Sequence, residues 1–280
     1  MKNTRRNFIG LSSIGLIGII PSEKKRIFSI GKQENEESII HPKYPSTLSD
    51  DISAVVGASH ANFEKVREIV DARPELSKAT WDWGFGDVES ALGAASHMGR
   101  KDIAEYLMGH GARANIFTLA MLGKVDAVKS IIDAMPGIES NLGPHGFTLM
   151  HHAKIRLRRK NVEGTEKDTQ EALVEYLEGI KGANTGAQSI EVTEAEKEIY
   201  LGKYTFGSGE DEFFEVKLNM RKFLALSRGS YFGRTLNKVG DHTFAPGGGP
   251  SVRIVFDVED NKATAVTIHD PEVIITAKRV

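Results

Sequence analysis

The chain has 280 residues, a length that corresponds to about two domains of average size. It carries 36 Lys and Arg against 38 Asp and Glu, and this net charge of −2 argues against a general nucleic-acid-binding protein, which is usually basic. The absence of cysteine excludes a disulfide framework, a thiol nucleophile, a lipoprotein anchor and a cysteine-ligated zinc site. Export stays compatible with this composition, because a large core folds without disulfides.

Residues 1–26 have the organisation of an export signal. Basic residues flank an apolar run at 8–20, which is shorter than the roughly 20 residues that span a bilayer. Residues 4–10 read TRRNFIG and resemble the twin-arginine signal, an address that a receptor reads. The resemblance implies that the protein folds before export and reaches the periplasm or cell envelope. No small-residue cleavage site is obvious, so the segment could be retained as an N-terminal anchor, and residues 27–48 are predicted to be a linker.

Residues 49–178 are predicted to form about four helical repeats. The best copy, at 90–115, reads SALGAASHMGRKDIAEYLMGHGARAN, and its opening motif recurs at 148–153 as TLMHHA. Both segments resemble the ankyrin repeat. The resemblance implies a stack of paired short helices that binds a protein partner.

The physical pattern of the repeats agrees with that resemblance. The small residues Ala94 and Ala95 allow close helix stacking, and Gly99 and Gly123 fall in turns that require positive φ. One copy cannot bury its own apolar face, so at least about three copies must stack.

Six residues of the repeat segment are candidate contacts for a protein partner. They lie in the loop between the first two copies or at the tips of the later ones: Trp81, Trp83, Phe85, His97, Met98 and His145. Aromatic side chains exposed on such loops act as binding anchors. The alternative is that these rings fold down onto the first repeat, since Trp is usually largely buried.

The histidines of the repeats show no spacing that is typical of a metal site. His60, His97, His145, His151 and His152 lie in or near first helices and tips. None has the H-x-x-x-H or H-E-x-x-H spacing that places two ligands on one helix face. His151 and His152 are adjacent and point about 100° apart on a helix. The sequence therefore predicts neither a metal ion nor another cofactor.

After a glycine-rich linker at 179–192, residues 193–280 change to the two-residue period of β-strands. Seven or eight short strands separated by turn signals predict an antiparallel barrel or sandwich. The segments YLGKY at 200–204 and FDVEDNKATAVTIH at 256–269 are similar to the small lipocalin-like β domain appended to many penicillin-binding-protein-like serine hydrolases. The resemblance implies an accessory module, because the catalytic residues of those enzymes lie in another domain.

The sequence thus predicts an α + β protein of two domains, an ankyrin-repeat solenoid followed by a small antiparallel barrel or sandwich. We expect an exported, non-catalytic binding protein that contacts a protein partner, without nucleic acid and without a membrane span beyond the N-terminal segment. One alternative places small-ligand binding or a hydrolase-associated activity in the barrel; its candidate residues are Tyr231, Asp241, His242, His269 and Asp270. Strand neighbours point to opposite faces, so these residues form no dyad by sequence alone. Another alternative is that the barrel only caps the repeats.

Overall fold

The computed structural model describes residue 41 and residues 43–229, 233–271 and 273–280. The predicted export signal and most of the predicted linker that follows it lie outside the described residues. Among the residues that are described, no helix has the length and apolar character needed to cross a membrane.

Two short strands and nine α-helices of the described residues precede the barrel. The helices are α1 (Ser49–Ala58), α2 (Phe63–Ala72), α3 (Ala91–His97), α4 (Lys101–Gly109), α5 (Ile116–Met121), α6 (Val125–Ala134), α7 (Leu149–Leu157), α8 (Gly164–Glu178) and α9 (Glu194–Tyr200). The strands β1 (Thr80–Asp82) and β2 (Val88–Ser90) form an antiparallel hairpin between α2 and α3. We call residues 80–90 the finger.

The first eight helices pack as four consecutive pairs. Helix α1 contacts α3, α3 contacts α5 and α5 contacts α7, while each of these four packs against the helix that follows it. Ala94 and Ala95 are fully buried where α3 meets its neighbours. Gly99 and Gly123, which end the turns after α3 and α5, both have φ of 66°. The prediction that these two turns need a left-handed residue is confirmed, since only glycine adopts that conformation without strain.

Three of the four first helices, α3, α5 and α7, begin at side-chain caps. Ser90, Asn115 and Thr148 each accept a hydrogen bond from the backbone N–H three residues later, at the starts of α3, α5 and α7. Such caps satisfy amide groups that have no partner inside the helix. They fix where each of these three helices begins, and thereby the orientation of the loops that precede α3 and α7.

The C-terminal segment is a closed antiparallel barrel of eight strands. They are β3 (Gly202–Thr205), β4 (Phe213–Leu218), β5 (Leu224–Ser227), β6 (Arg234–Gly240), β7 (Thr243–Pro246), β8 (Arg253–Glu259), β9 (Lys262–Asp270) and β10 (Val273–Arg279), with β10 pairing β3 to close the sheet. Tyr200, Tyr204, Phe214, Phe244 and Phe256 are buried in its interior. The predicted β domain is therefore a barrel with a filled core rather than a sandwich.

The helical segment and the barrel belong to one compact unit, Pro45–Val280. Phe85 at the tip of the finger packs against the barrel core. Ile190, in the segment predicted as a linker, forms a β-bridge with Lys238 of β6. The two segments that the sequence separates into two domains thus share contacts along the finger and this connection.

Candidate metal centre

Four side chains from separate parts of the helical segment converge beside the finger. They are His60 after α1, Glu89 in β2, His97 at the end of α3 and His145 before α7, and one ligand atom of each lies within 4.8 Å of the others. We call them the ligand cluster. Glu89 is fully buried, His97 is 4 % exposed, and the other two histidines are half-buried. Imidazole nitrogens with a carboxylate oxygen are a ligand set that transition metals accept.

Local structure explains why Glu89 lies at the centre. In the finger, Glu89 is paired directly with Trp81, so Trp81, Trp83 and Glu89 project from the same face of the hairpin. The indole Nε1–H of Trp83 donates to Glu89 Oε2 over 2.8 Å. Ser90, the next residue, caps α3, and that helix carries His97 toward the same carboxylate.

The distances within the cluster are close to those of a metal cage. Glu89 lies 2.9 Å from His97 Nε2 through Oε1, and 3.3 Å from His60 Nε2 and 3.4 Å from His145 Nε2 through Oε2. Ligands at about 2.0–2.2 Å from a tetrahedral ion stand roughly 3.3–3.5 Å apart. The four donors would need only small shifts to coordinate one ion.

Two histidines already have the partners that orient metal ligands. His145 Nδ1 lies 2.6 Å from Asp87 Oδ2, and His60 Nδ1 lies 3.1 Å from the carbonyl of Gly57. In each case the Nδ1–H donates to oxygen, and Nε2 faces Glu89. Metal-bound histidines nearly always donate their second ring N–H to a carboxylate or a carbonyl in this way.

Three buried polar atoms of the cluster have no hydrogen-bond partner among the described residues. They are Glu89 Oε1 and both ring nitrogens of His97. The short His97–Glu89 separation is therefore a contact without the alignment of a hydrogen bond. Buried polar atoms in native proteins are nearly always paired, so these atoms indicate a missing partner, such as an ion or ordered water.

Asp87 connects the ligand cluster to the barrel. It is buried, and it accepts hydrogen bonds from the backbone N–H of His145 over 2.8 Å and from Arg234 Nη1 over 2.6 Å. Gly248, with φ of 84°, lies so close that a Cβ there would overlap the Asp87 carboxylate. Asp87 thus links the cluster by direct contacts to β6 and to the loop after β7.

The pKa values of the cluster reflect two opposing effects. Burial disfavours the charged form of each group, and contacts between opposite charges favour it. Burial alone would raise the pKa of Glu89, but His145 and His97 beside it hold that pKa far below its usual range. Burial would lower the pKa of His145, yet Asp87 and Glu89 raise it to about 9. Burial lowers the pKa of His97, which leaves this ring neutral with a free nitrogen lone pair. Arg234 and protonated His145 balance the two carboxylates when no ion is bound.

The sequence-predicted partner contacts surround this cluster. Trp81 and Trp83 are half-buried against the core of the first helices, while Phe85 lies on the barrel. His97 and His145 are members of the cluster itself. Met98 is half-buried, and its carbonyl accepts hydrogen bonds from Arg159. Partner binding by these six residues stays a prediction.

Sequence reasoning missed Glu89 and Asp87 and set His60 aside. A search for two ligands on one helix face could not find a site whose members come from a turn, a strand, a helix and a loop. One usable signal was the acid-rich pattern Asp87-Val88-Glu89 in a finger whose neighbouring first-helix positions carry histidines.

The residues considered for a hydrolase activity do not assemble into a catalytic group among the residues described. His242 Nδ1 lies 2.9 Å from the hydroxyl of Tyr200, and its Nε2 comes no nearer than 3.7 Å to the exposed Asp241. His269 is exposed on β9, and Tyr231 lies outside the described residues.

Comparison of the chain with protein-family models, with curated proteins and with solved structures gives no match.

Proposed function

We propose that this chain binds one divalent transition-metal ion through His60, Glu89, His97 and His145. The observation that carries the proposal is the set of buried atoms without partners, Glu89 Oε1 and the two nitrogens of His97. A purely structural ion-pair network would leave three buried polar atoms unsatisfied at a cost of about 1–3 kcal/mol each. An ion coordinated by Glu89 Oε1 and His97 Nε2 satisfies two of the three.

Zinc is the ion that this donor set fits best. Three imidazoles and one carboxylate supply four ligands, and closed four-ligand sites are typical of structural zinc. Softer thiolate ligation is excluded because the chain has no cysteine. Since the ligands come from four separate segments, the ion would hold the finger, the first repeats and the loop before α7 together.

Metal titration of the full chain tests this proposal. After removal of metal with a chelator, Zn²⁺ is titrated in competition with a chromophoric chelator. His97→Phe removes one ligand and keeps a ring of similar size that packs beside Phe147, whose ring centroid is 5.0 Å from that of His97. His152→Phe is the matched control, because His152 is also buried but lies outside the ligand cluster.

The proposal predicts one Zn²⁺ per chain in the wild type and in His152→Phe, with affinity reduced about a hundredfold or more in His97→Phe. If His97→Phe fails to fold, His60→Ala at the half-buried edge of the cluster gives the same comparison. Equal zinc affinity in all folded variants, or no stoichiometric binding by the wild type, would contradict it.

We also propose, on the repeat pattern, that the helical segment is an ankyrin-type solenoid in an exported, non-catalytic binding protein. The consecutive packing of α1, α3, α5 and α7 supports that assignment. Replacing Arg5 and Arg6 by Lys tests export, and we expect the variant to remain in the cytoplasm. A crosslinking pull-down from the envelope fraction, compared with Trp81→Ala, tests whether the finger contacts a protein partner.

A further inference from the structure

A cavity of about 420 Å³ lies between the finger and one end of the barrel. The finger contributes Trp81, Trp83 and Phe85 to its walls. The barrel contributes the ends of β5 and β9 and the beginnings of β4, β6 and β10, which meet at the same end of an antiparallel barrel. Its apolar barrel residues are Phe214, Leu226, Ile268, Val273 and Ile275.

The cavity ends at the mouth of the barrel. Tyr200, Tyr204 and Phe256 fill the interior, so a ligand cannot enter the barrel axis. The volume falls within the range of sites that enclose a small molecule. Aromatic walls on the finger and aliphatic walls on the barrel suit a flat apolar body between them.

Two guanidinium groups supply the polar part of this cavity. Arg228 and Arg234 both line it; the guanidinium of Arg234 is held by Asp87, whereas Arg228 is exposed. Of the two acids that also line it, Asp82 is exposed and accepts from the backbone of Gly84. The guanidinium of Arg228 thus favours a ligand with an anionic acceptor, and Asp270 disfavours a multiply charged one.

We propose that this finger-roofed mouth binds a small aromatic molecule that carries a single carboxylate or similar acceptor. The ring lies between Trp81, Trp83 and the barrel wall, and the acceptor meets the guanidinium of Arg228. None of the four proposed metal ligands lines the cavity, so this site goes beyond the proposed metal function and does not depend on it. The two sites share Trp83, which lines the cavity and donates to Glu89, and Arg234, which lines the cavity and donates to Asp87.

Indole NMR signals give a direct test, because the chain has only two tryptophans. 1-Naphthoate is titrated into the ¹⁵N-labelled full chain, and the two indole N–H signals are assigned with Trp81→Phe and Trp83→Phe. The ring current of the bound naphthalene should shift both signals. Zn²⁺ should shift the Trp83 signal, so failure of one site is distinguished from failure of the other.

Three comparisons define the site chemically. 1-Naphthylmethylamine presents the same ring with a cationic head, and we expect it to bind at least about tenfold more weakly than 1-naphthoate. Ile275→Trp fills the cavity and should abolish the shifts. Val239→Trp, a similar enlargement in the separate cavity between the repeats and the barrel, should retain them.

Arg228→Gln examines the acceptor contact, since it removes one guanidinium from the cavity wall and leaves Arg234 beside Asp87 unchanged. We expect 1-naphthoate to bind about tenfold more weakly to this variant, while the amine binds no more weakly than to the wild type. The proposal is overturned if 1-naphthoate leaves both indole signals unchanged at millimolar concentration. It is also overturned if Ile275→Trp binds as the wild type does, or if the amine binds as tightly as the carboxylate.

Discussion

At the scale of single residues, the geometry of the proposed metal site depends on how Asp87 orients His145. Asp87 Oδ2 accepts the Nδ1–H of His145, and Arg234 Nη1 donates to the same oxygen. This arrangement selects the tautomer whose Nε2 faces Glu89. Hydrogen-bond partners outside the ligand set raise metal affinity, because they orient a ligand before the ion binds.

Asp87→Asn should therefore weaken zinc binding without removing a ligand. The amide oxygen can still accept from the His145 backbone, but the charge that favours the Nδ1–H tautomer is lost. We expect a 10- to 100-fold lower affinity in the competition titration, roughly the effect of losing an outer partner. Asp82→Asn, an exposed carboxylate in the same finger, serves as control and should bind zinc like the wild type. Equal zinc affinities of the two variants would show that Asp87 does not orient a metal ligand.

The members of the ligand cluster were only partly predictable from the sequence. His97 and His145 were singled out as contacts for a partner, and the structure brings both beside Glu89. Their meeting requires that β2 pair with β1, that Ser90 cap α3 and that the loop before α7 fold back onto the finger. Only the first two depend on residues close together in the chain, whereas the third joins His145 to Asp87 across 58 positions, so the cluster could not be read from spacing.

At the scale of elements, the finger connects the helical pairs to the barrel. Its β-strands carry Glu89 toward the helices, and its turn carries Phe85 and Asp87 toward the barrel. The turn is tight, with positive φ at Gly84, Phe85 and Gly86. The loop after β7 meets it through Gly248, where the absence of a side chain makes room for Asp87.

Gly248→Ala should therefore separate the finger from the barrel. A Cβ at this position overlaps the Asp87 carboxylate and is also strained at φ of 84°. We expect a loss of about 2–5 kcal/mol in the free energy of unfolding, from backbone strain and overpacking together. Gly84→Ala has φ of 106° but meets no atom within 4 Å, so it should cost only about 1–2 kcal/mol. Denaturant unfolding checks the difference, and equal losses would show that the contact is unimportant.

Elements were more predictable than the site. The helix pairs follow from apolar periodicity, and the glycines of their turns were identified by their required φ, because both signals are local. The eight strands follow from their alternation, but closure of the barrel does not, since it depends on the pairing of β10 with β3. The sequence places a loop between the first two helix pairs. The packing of that loop, the finger, on the barrel was not predictable, because it depends on contacts between residues far apart in the chain.

At the scale of the whole molecule, a bound ion should stabilise the entire unit. The four ligands come from separate elements, and Asp87 extends the connection to β6. An ion that binds only the folded state adds roughly 4 kcal/mol at a free concentration about a thousandfold above its Kd. For a unit of this size that corresponds to a rise in Tm of about 8–16 °C.

Differential scanning calorimetry with Zn²⁺ and with chelator measures this shift. We expect the full rise in the wild type and in His152→Phe, and little or no rise in His97→Phe. Because the helical pairs and the barrel form one unit, their unfolding should coincide when it is followed by helical circular dichroism and by NMR signals of the barrel strands. A metal-independent Tm would argue that the cluster is a charge-balanced network and nothing more.

X-ray absorption at the zinc edge reports directly which atoms bind the ion. The full chain is loaded with one equivalent of Zn²⁺ and washed before the spectrum is recorded. We expect three nitrogen ligands at about 2.0–2.1 Å, one oxygen ligand at about 2.0–2.2 Å, and scattering from three imidazole rings. Zinc that washes away, or a spectrum with one imidazole or none among oxygen ligands, would contradict a metal centre at His60, Glu89, His97 and His145.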